Sequence, residues 1–209
     1  MESQTSNLMI KPKVLILSNN ENVRLLSEKI SGRCDLSLYS DAIGPDLIKS
    51  SEPDLVISYN YKHIVKEDVI DLLGDRIINL HCSLLPWNKG ASPNIWSFID
   101  DTPKGVTIHR LEKGLDTGKL ILQKEVFFDE EKETLESSYN ILQETITGLL
   151  SDNLDMISSG KYKMKEQPEG GSYHKTSDLK KIIGDNSIDY SMTIKQFRDY
   201  ISSLSSSCT

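Results

Sequence analysis

Several absences narrow what this chain can be. No apolar run approaches the roughly 18 residues of a membrane span, and Met1–Asn7 has neither the basic start nor the apolar core of a secretory signal. Cysteine is sparse and odd in number, with Cys34, Cys82 and Cys208 scattered along the chain. Such usage fits a reducing cytoplasm and excludes a disulfide framework. No Cys/His cluster has metal-ligand spacing, so no metal is expected. Positive charge is in deficit, 24 Lys and Arg against 31 Asp and Glu, for a net charge of -7. The lysines are spread out, with only weak clusters such as Lys161 to Lys165, which argues against a nucleic-acid partner. Glycine is missing where the first apolar run ends: Val14-Leu15-Ile16-Leu17 gives way to Ser18-Asn19-Asn20-Glu21-Asn22. A backbone that must wrap closely around a phosphate usually has glycine there.

What is present reads as an α/β protein. At 209 residues, 37% hydrophobic and 26% charged, the chain is long enough for one domain and an appendage. The runs 14–17, 36–39, 55–59 and 77–81 are short and apolar, as strands of a parallel sheet are. Between them, 23–30 and 66–73 carry apolar residues at helical spacing. Alternating strands and helices predict an open sheet with ligands beyond the strand ends, near Tyr59–Ile64 and His81–Gly90. Further on, 93–100 predicts a short helix opened by Ser92 and Pro93. Residues 105–111 and 120–126 predict two more strands, joined by a turn holding Gly114, Asp116 and Gly118. Residues 134–158 predict one long helix and 193–204 a weak terminal one, with 202–209 frayed. A catalytic unit over 1–164 and a short extension over 165–209, packed on the core or partly disordered, are expected.

The stretch Asn79-Leu80-His81-Cys82-Ser83-Leu84-Leu85-Pro86-Trp87-Asn88-Lys89-Gly90 is the most informative. In a strand, residues i and i+2 share a face, so Asn79 and His81 project side by side where the strand opens into a loop. A carboxamide donor beside a proton-transfer group suits chemistry at a carbonyl. Each residue also has an ordinary structural reading: Asn79 as a strand-end cap, His81 as a satisfied histidine, Asp116 as a turn residue bonding its own backbone.

Taken together, these motifs resemble the folate-dependent formyltransferase family. The resemblance rests on Asp54-Leu55-Val56-Ile57-Ser58-Tyr59, on Asn79 to Pro86 with Gly90, on Gly105-Val106-Thr107-Ile108-His109, and on Leu115-Asp116-Thr117-Gly118 with Gln123. It implies a Rossmann-like core, an open, mostly parallel sheet with flanking helices and an antiparallel addition. It implies N10-formyltetrahydrofolate as formyl donor, a primary amine as acceptor, and a catalytic set of Asn79, His81 and Asp116. It places the folate against Tyr61, Lys62, His63 and Ile64, with Leu84 and Pro86 as walls and Lys113, Gly114 and Leu115 in the closing loop. A carboxylate beside His81 is expected to favour the imidazolium. His63 reads as a surface residue, His174 as solvated, and His109 as either a support of the site or a core hydrogen-bonder.

Within that family, the loop from Pro86 to Trp96 is most similar to enzymes acting on nucleotide-linked amino-dideoxy sugars. Trp87 would offer a flat face, Asn88 and Asn94 would bond hydroxyls, and Lys89 would meet a pyrophosphate. Ile95 and Trp96 read as core. The product would be a formamido sugar for surface polysaccharide such as O-antigen or lipopolysaccharide, made by a cytoplasmic enzyme for which a homodimer is open. The acidic charge, the short segment after the long helix and the missing glycine loop argue against methionyl-tRNA and glycinamide ribonucleotide as acceptors. A formyltetrahydrofolate hydrolase and a non-catalytic folate-binding protein are the competing readings.

Overall fold

The computed structural model describes residues 11–206. Met1–Asn7 and Cys208 fall outside the described residues. The elements run β1 (Lys13–Leu17), α1 (Val23–Ile30), β2 (Asp35–Tyr39), α2 (Pro45–Ser51), β3 (Leu55–Tyr59), α3 (Glu67–Leu73), β4 (Ile77–His81), β5 (Lys89–Gly90), α4 (Pro93–Ile99), β6 (Gly105–Arg110), β7 (Leu120–Glu125), α5 (Leu135–Asp152), α6 (Leu154–Ser158), β8 (Tyr173–His174), α7 (Thr176–Ile183) and α8 (Ile194–Ser206). Six strands form one sheet in the order β2-β1-β3-β4-β6-β7, and β5 pairs with β8 in a small second sheet. The first four are mutually parallel; β6 and β7 add on antiparallel. The expected open, mostly parallel sheet with an antiparallel addition is what the chain builds.

Strand alternation assigns the two faces. Val14, Ile16, Leu55, Ile57, Ile78 and Leu80 pack under Leu26 and Ile30 of α1 and Leu142, Ile146 and Leu150 of α5. Leu15, Leu17, Val56 and Ile77 pack under Ile48 of α2 and Val69, Ile70 and Leu73 of α3. In β4 this leaves Asn79 and His81 on the same side as Ile77, beyond the end of that second core. The register of β4 with β6 sets Asn79 opposite His109 and His81 opposite Thr107.

Three expectations are revised. The long helix breaks at Asn153, whose φ of -114° and ψ of 12° leave helical geometry; its carboxamide donates to Leu149 O instead. The terminal helix is longer and firmer than its polar composition predicts, because Ile194, Phe197 and Ile201 bury themselves against Ile95 and Phe98 of α4 and Leu135 of α5. His174 is not solvated: its ring stacks on Trp96 at 3.7 Å and its Nε2 lies 2.8 Å from Asp100 Oδ2. Ile95 and Trp96 are buried, as expected.

Ile146 is fully buried between α5 and the sheet. Ile146→Ala is expected to destabilise the protein by about 2–5 kcal/mol, the usual range for emptying such a site. Urea unfolding at neutral pH checks this; a loss under about 1 kcal/mol would mean that the α5 layer collapses to fill the gap.

Candidate active site

The strand ends of β3, β4 and β6 and the turn before β7 meet at one carboxylate. Asp116 sits in that turn with φ 52°, a conformation asparagine and aspartate tolerate better than most. Gly118 lets the turn close, since a Cβ there would lie 1.9 Å from Arg110 O. Asp116 is 8% exposed. Its Oδ1 accepts from Asn79 Nδ2 at 3.2 Å and lies 3.4 Å from His109 Nε2 and 3.6 Å from His81 Nδ1. Its Oδ2 accepts from the Gly90 N–H at 2.8 Å. Asn79 and His81, two residues apart on β4, and the distant Asp116 therefore share one point in space. Below them, Thr107 Oγ1 donates to Ser83 O and Gln123 Nε2 donates to Leu85 O, fixing the loop after β4 to the sheet.

Hydrogen-bond partners assign the tautomers. His81 Nε2 lies 3.1 Å from Asn88 O, a carbonyl that can only accept, so Nε2 carries the hydrogen and Nδ1 faces Asp116. His109 Nδ1 likewise faces Arg110 O at 2.8 Å and carries a hydrogen. With its hydrogen on Nδ1, His109 offers its Nε2 lone pair to Asn79 Nδ2 at 3.2 Å. Both hydrogens of the Asn79 amide are thus engaged, one by Asp116 and one by His109.

Charge follows burial. His81 is 6% exposed. Desolvation lowers its pKa, and the Asp116 charge and the Asn88 carbonyl raise it by less. The expected imidazolium gives way to a neutral ring, because burial outweighs the carboxylate beside it. For Asp116, burial also opposes the charged form, yet His81, His109 and the Gly90 N–H together hold the carboxyl well below the usual range. At neutral pH the pair is an ionised Asp116 beside an uncharged His81. The neutral ring gives up its own hold on the carboxylate, and the Asn79 and Gly90 donors keep theirs. Cys82, next in sequence, is no nucleophile: burial pushes its thiol up to about 12, and Gln143 Nε2 donates to its sulfur.

Two cavities open at this point. One, of about 570 Å³, is lined by His81, Cys82, Gly90, Ser92 to Ile95, Asn60, Tyr139 and Tyr190. The other, of about 360 Å³, is lined by Tyr61, Lys62, His63, Ile64, Lys113, Gly114, Leu115, His109 and Asp116. Asn79 and Tyr61 belong to both. Lys113 pairs with Glu67 of α3, tying the second cavity's loop to a helix. At its rim the apolar Ile64 and Leu115 are 88% and 56% exposed.

Not every candidate residue reaches these cavities. Leu84 packs against Gly105 and Pro86 against Gly171, and neither residue lines either cavity. Asn88 is 0% exposed. Its Nδ2 donates to Thr102 Oγ1 at 2.7 Å and its Oδ1 accepts from Ser172 Oγ at 3.1 Å, so its carboxamide has no group left for a sugar hydroxyl. Trp87 and Lys89 line neither cavity, Lys89 being held in β5 beside Tyr173. Asn94 does line the larger one, donating to Ser138 Oγ at 3.4 Å while its buried Oδ1 lacks a partner. His109, Tyr139 and Tyr190 were not singled out as site residues by sequence pattern. For His109 the signal is its register opposite Asn79; the tyrosines come from distant segments with no motif around them. Among the described residues, no group of His, Cys, Asp or Glu is arranged to hold a metal ion, and no helix is long and apolar enough to cross a membrane.

Comparison with known proteins agrees with this geometry. The family model described as formyl transferase matches residues 17–153. The chain is similar to the formyltransferase PseJ from Anoxybacillus kamchatkensis, solved with UDP-4,6-dideoxy-4-formamido-L-AltNAc and tetrahydrofolate. The two are 38% identical, with a TM-score of 0.78 over 88% of this chain and 97% of that one. It is 29% identical to the dTDP-4-amino-4,6-dideoxyglucose formyltransferase of Mycobacterium tuberculosis, over 81% of this chain and 76% of that one. It is 32% identical to the methionyl-tRNA formyltransferase of Geotalea daltonii, over 74% of this chain but only 48% of that longer protein. The chain thus spans about half the length of that relative. With a family model covering most of its length and the carboxamide, imidazole and carboxylate gathered at the strand ends, this chain belongs to the formyl transferase family.

Proposed function

We propose that this chain transfers a formyl group from N10-formyltetrahydrofolate to the primary amine of a nucleotide-linked amino sugar. The observation that carries the reading is the place of the Asn79 amide, at the junction of two cavities, with Asp116 lining one and His81 the other. A donor and an acceptor entering from opposite sides would meet at that amide. The folate is assigned to the cavity of Tyr61 to Ile64 and Lys113 to Leu115, where a flat ring would cover the exposed Ile64 and Leu115. The sugar is assigned to the larger cavity. There the unpartnered Oδ1 of Asn94 calls for an N–H or O–H donor.

In the reaction the amine nitrogen bonds to the formyl carbon, the bond from that carbon to N10 breaks, the amine loses a proton and N10 gains one. Asn79 turns the hydrogen now given to His109 toward the formyl oxygen as it gains charge; the hydrogen given to ionised Asp116 is charge-assisted and stays. Neutral His81 takes the proton of the attacking amine at Nδ1, and Asp116 stabilises the imidazolium so formed. The same proton then serves the leaving nitrogen. The ligand of the PseJ complex makes a UDP-linked 4-amino-4,6-dideoxy sugar the first acceptor to try. The acidic charge counts against a tRNA acceptor.

Incubation with formyltetrahydrofolate and a panel of amino-sugar nucleotides, read by mass spectrometry, tests the reading. A gain of one formyl group supports it; release of formate with no formylated sugar rejects it. Asn79→Ala, His81→Ala and Asp116→Ala are each expected to lower kcat by more than about a hundredfold while folate Kd changes far less. Near-normal turnover in any two of them would dismantle the assignment. Asn94→Ala should raise the acceptor KM roughly tenfold, the cost of one lost hydrogen bond to a buried group, with folate KM unchanged. In nitrogen-15 NMR, His81 should titrate below the ~6.5 of free histidine, with the hydrogen of its neutral form on Nε2. Because the folded chain takes up that proton later than the unfolded chain, stability present above pH ~6.5 is lost as pH falls toward the folded midpoint. A midpoint above 7 would overturn the neutral state.

A further inference from the structure

The segment 165–174 takes no part in the chemistry above, yet it bonds both the turn that carries Asp116 and the loop that follows β4. Lys165 and Leu120 exchange backbone hydrogen bonds of 2.8 and 2.9 Å at the base of the Asp116 turn. Gln167 Nε2 donates to both Asp116 O and Gly118 O at 2.8 Å, gripping the turn on either side of its tightest point. Gly171, with φ 92°, lies so close to Pro86 that a Cβ would sit 2.1 Å from Pro86 O. Ser172 Oγ accepts from the Asn88 N–H at 2.9 Å. The Ser172 and His174 carbonyls then accept from Lys89 N and Ala91 N at 3.0 and 2.9 Å.

This last pairing has a geometric result. In a paired strand, successive N–H groups point to opposite edges. With Lys89 and Ala91 bonded to the strap, the intervening Gly90 N–H must point away from it, and it is this N–H that reaches Asp116 Oδ2. The Asn88 carbonyl, fixed by the same pairing, is the one that orients His81. One segment thus sets the Asn88 carbonyl that aims the imidazole, the Gly90 donor that aims the carboxylate, and the backbone of the turn that carries the carboxylate.

We propose that residues 165–174 act as a strap that sets the spacing between His81 and Asp116, with Gln167 and Ser172 as positioning residues for formyl transfer. The proposal rests on the reading of His81 and Asp116 as the reacting pair. Gln167 Oε1 is buried without a partner. A side chain kept only for packing would not need a carboxamide there, whereas the two donor bonds to the turn do.

The test compares Gln167→Leu, which keeps bulk and removes both donors, with the native protein, at a temperature where circular dichroism shows both folded. Misplacement of the carboxylate should lower kcat by about tenfold to a hundredfold, with KM for both substrates within about twofold. His81 should also titrate at lower pH, because the carboxylate that raises its pKa has moved off. Ser172→Ala, acting through Asn88 and His81, should give the same kcat-against-KM split, and serves alone if Gln167→Leu does not fold. Unchanged kcat and an unchanged His81 midpoint in the folded variants would overturn the strap. Asp116→Asn, assayed alongside, separates the two claims. If it is inactive while Gln167→Leu is native-like, only the strap falls. If it keeps full activity, the reaction reading falls, and the strap is judged by the His81 midpoint alone.

Discussion

The arrangement depends on keeping one carboxylate ionised while nine-tenths buried. Such a charge is costly unless every lone pair finds a donor. Asp116 finds donors in segments that otherwise have little reason to meet: the Asn79 amide at the end of β4 and the Gly90 N–H in the stretch that follows. Its demand for donors is what draws these segments to one point. The turn that presents it accepts a left-handed residue and a glycine jammed against Arg110 O to do so.

From that anion the rest of the site takes its character. It engages one hydrogen of the Asn79 amide before any ligand arrives. It lies beside a His81 ring that burial keeps uncharged, and so offers stabilisation only once a proton lands there. A base that is neutral at rest and favoured when charged is suited to accept a proton and give it back. The two cavities lie to either side of Asn79, which makes the carboxamide a dividing wall as well as a donor.

Much of this was legible in the residues themselves. The apolar runs of β1, β3 and β4 are long enough and uniform enough to read as buried parallel strands, and the spacing of Asn79 and His81 follows from strand alternation alone. What escaped the pattern was small or remote. Helix α2 has only seven residues, and β5 and β8 have two each, too few for any periodicity. Asn88 looked available because polar loop residues usually are; its burial depends on Thr102 and Ser172, which adjacency does not reveal. The charge of His81 was misjudged because a neighbouring carboxylate shows in a motif and desolvation does not. Tyr61 to Ile64 and Lys113 to Leu115 line one cavity together, while Leu84 packs against Gly105 and Pro86 against Gly171.

The pairing of β5 with β8 joins positions some 84 residues apart. During synthesis the sheet from β1 to β7 and its covering helix α5 emerge from the ribosome before His174 does. Domains acquire structure as the chain appears, and closing so long a loop costs only slightly more than closing a shorter one. A nascent chain halted before residue 172 therefore has the main sheet of a formyltransferase but no partner for Lys89 and Ala91. Competence for chemistry would wait on β8, well after the main sheet has formed, until that short strand seats itself.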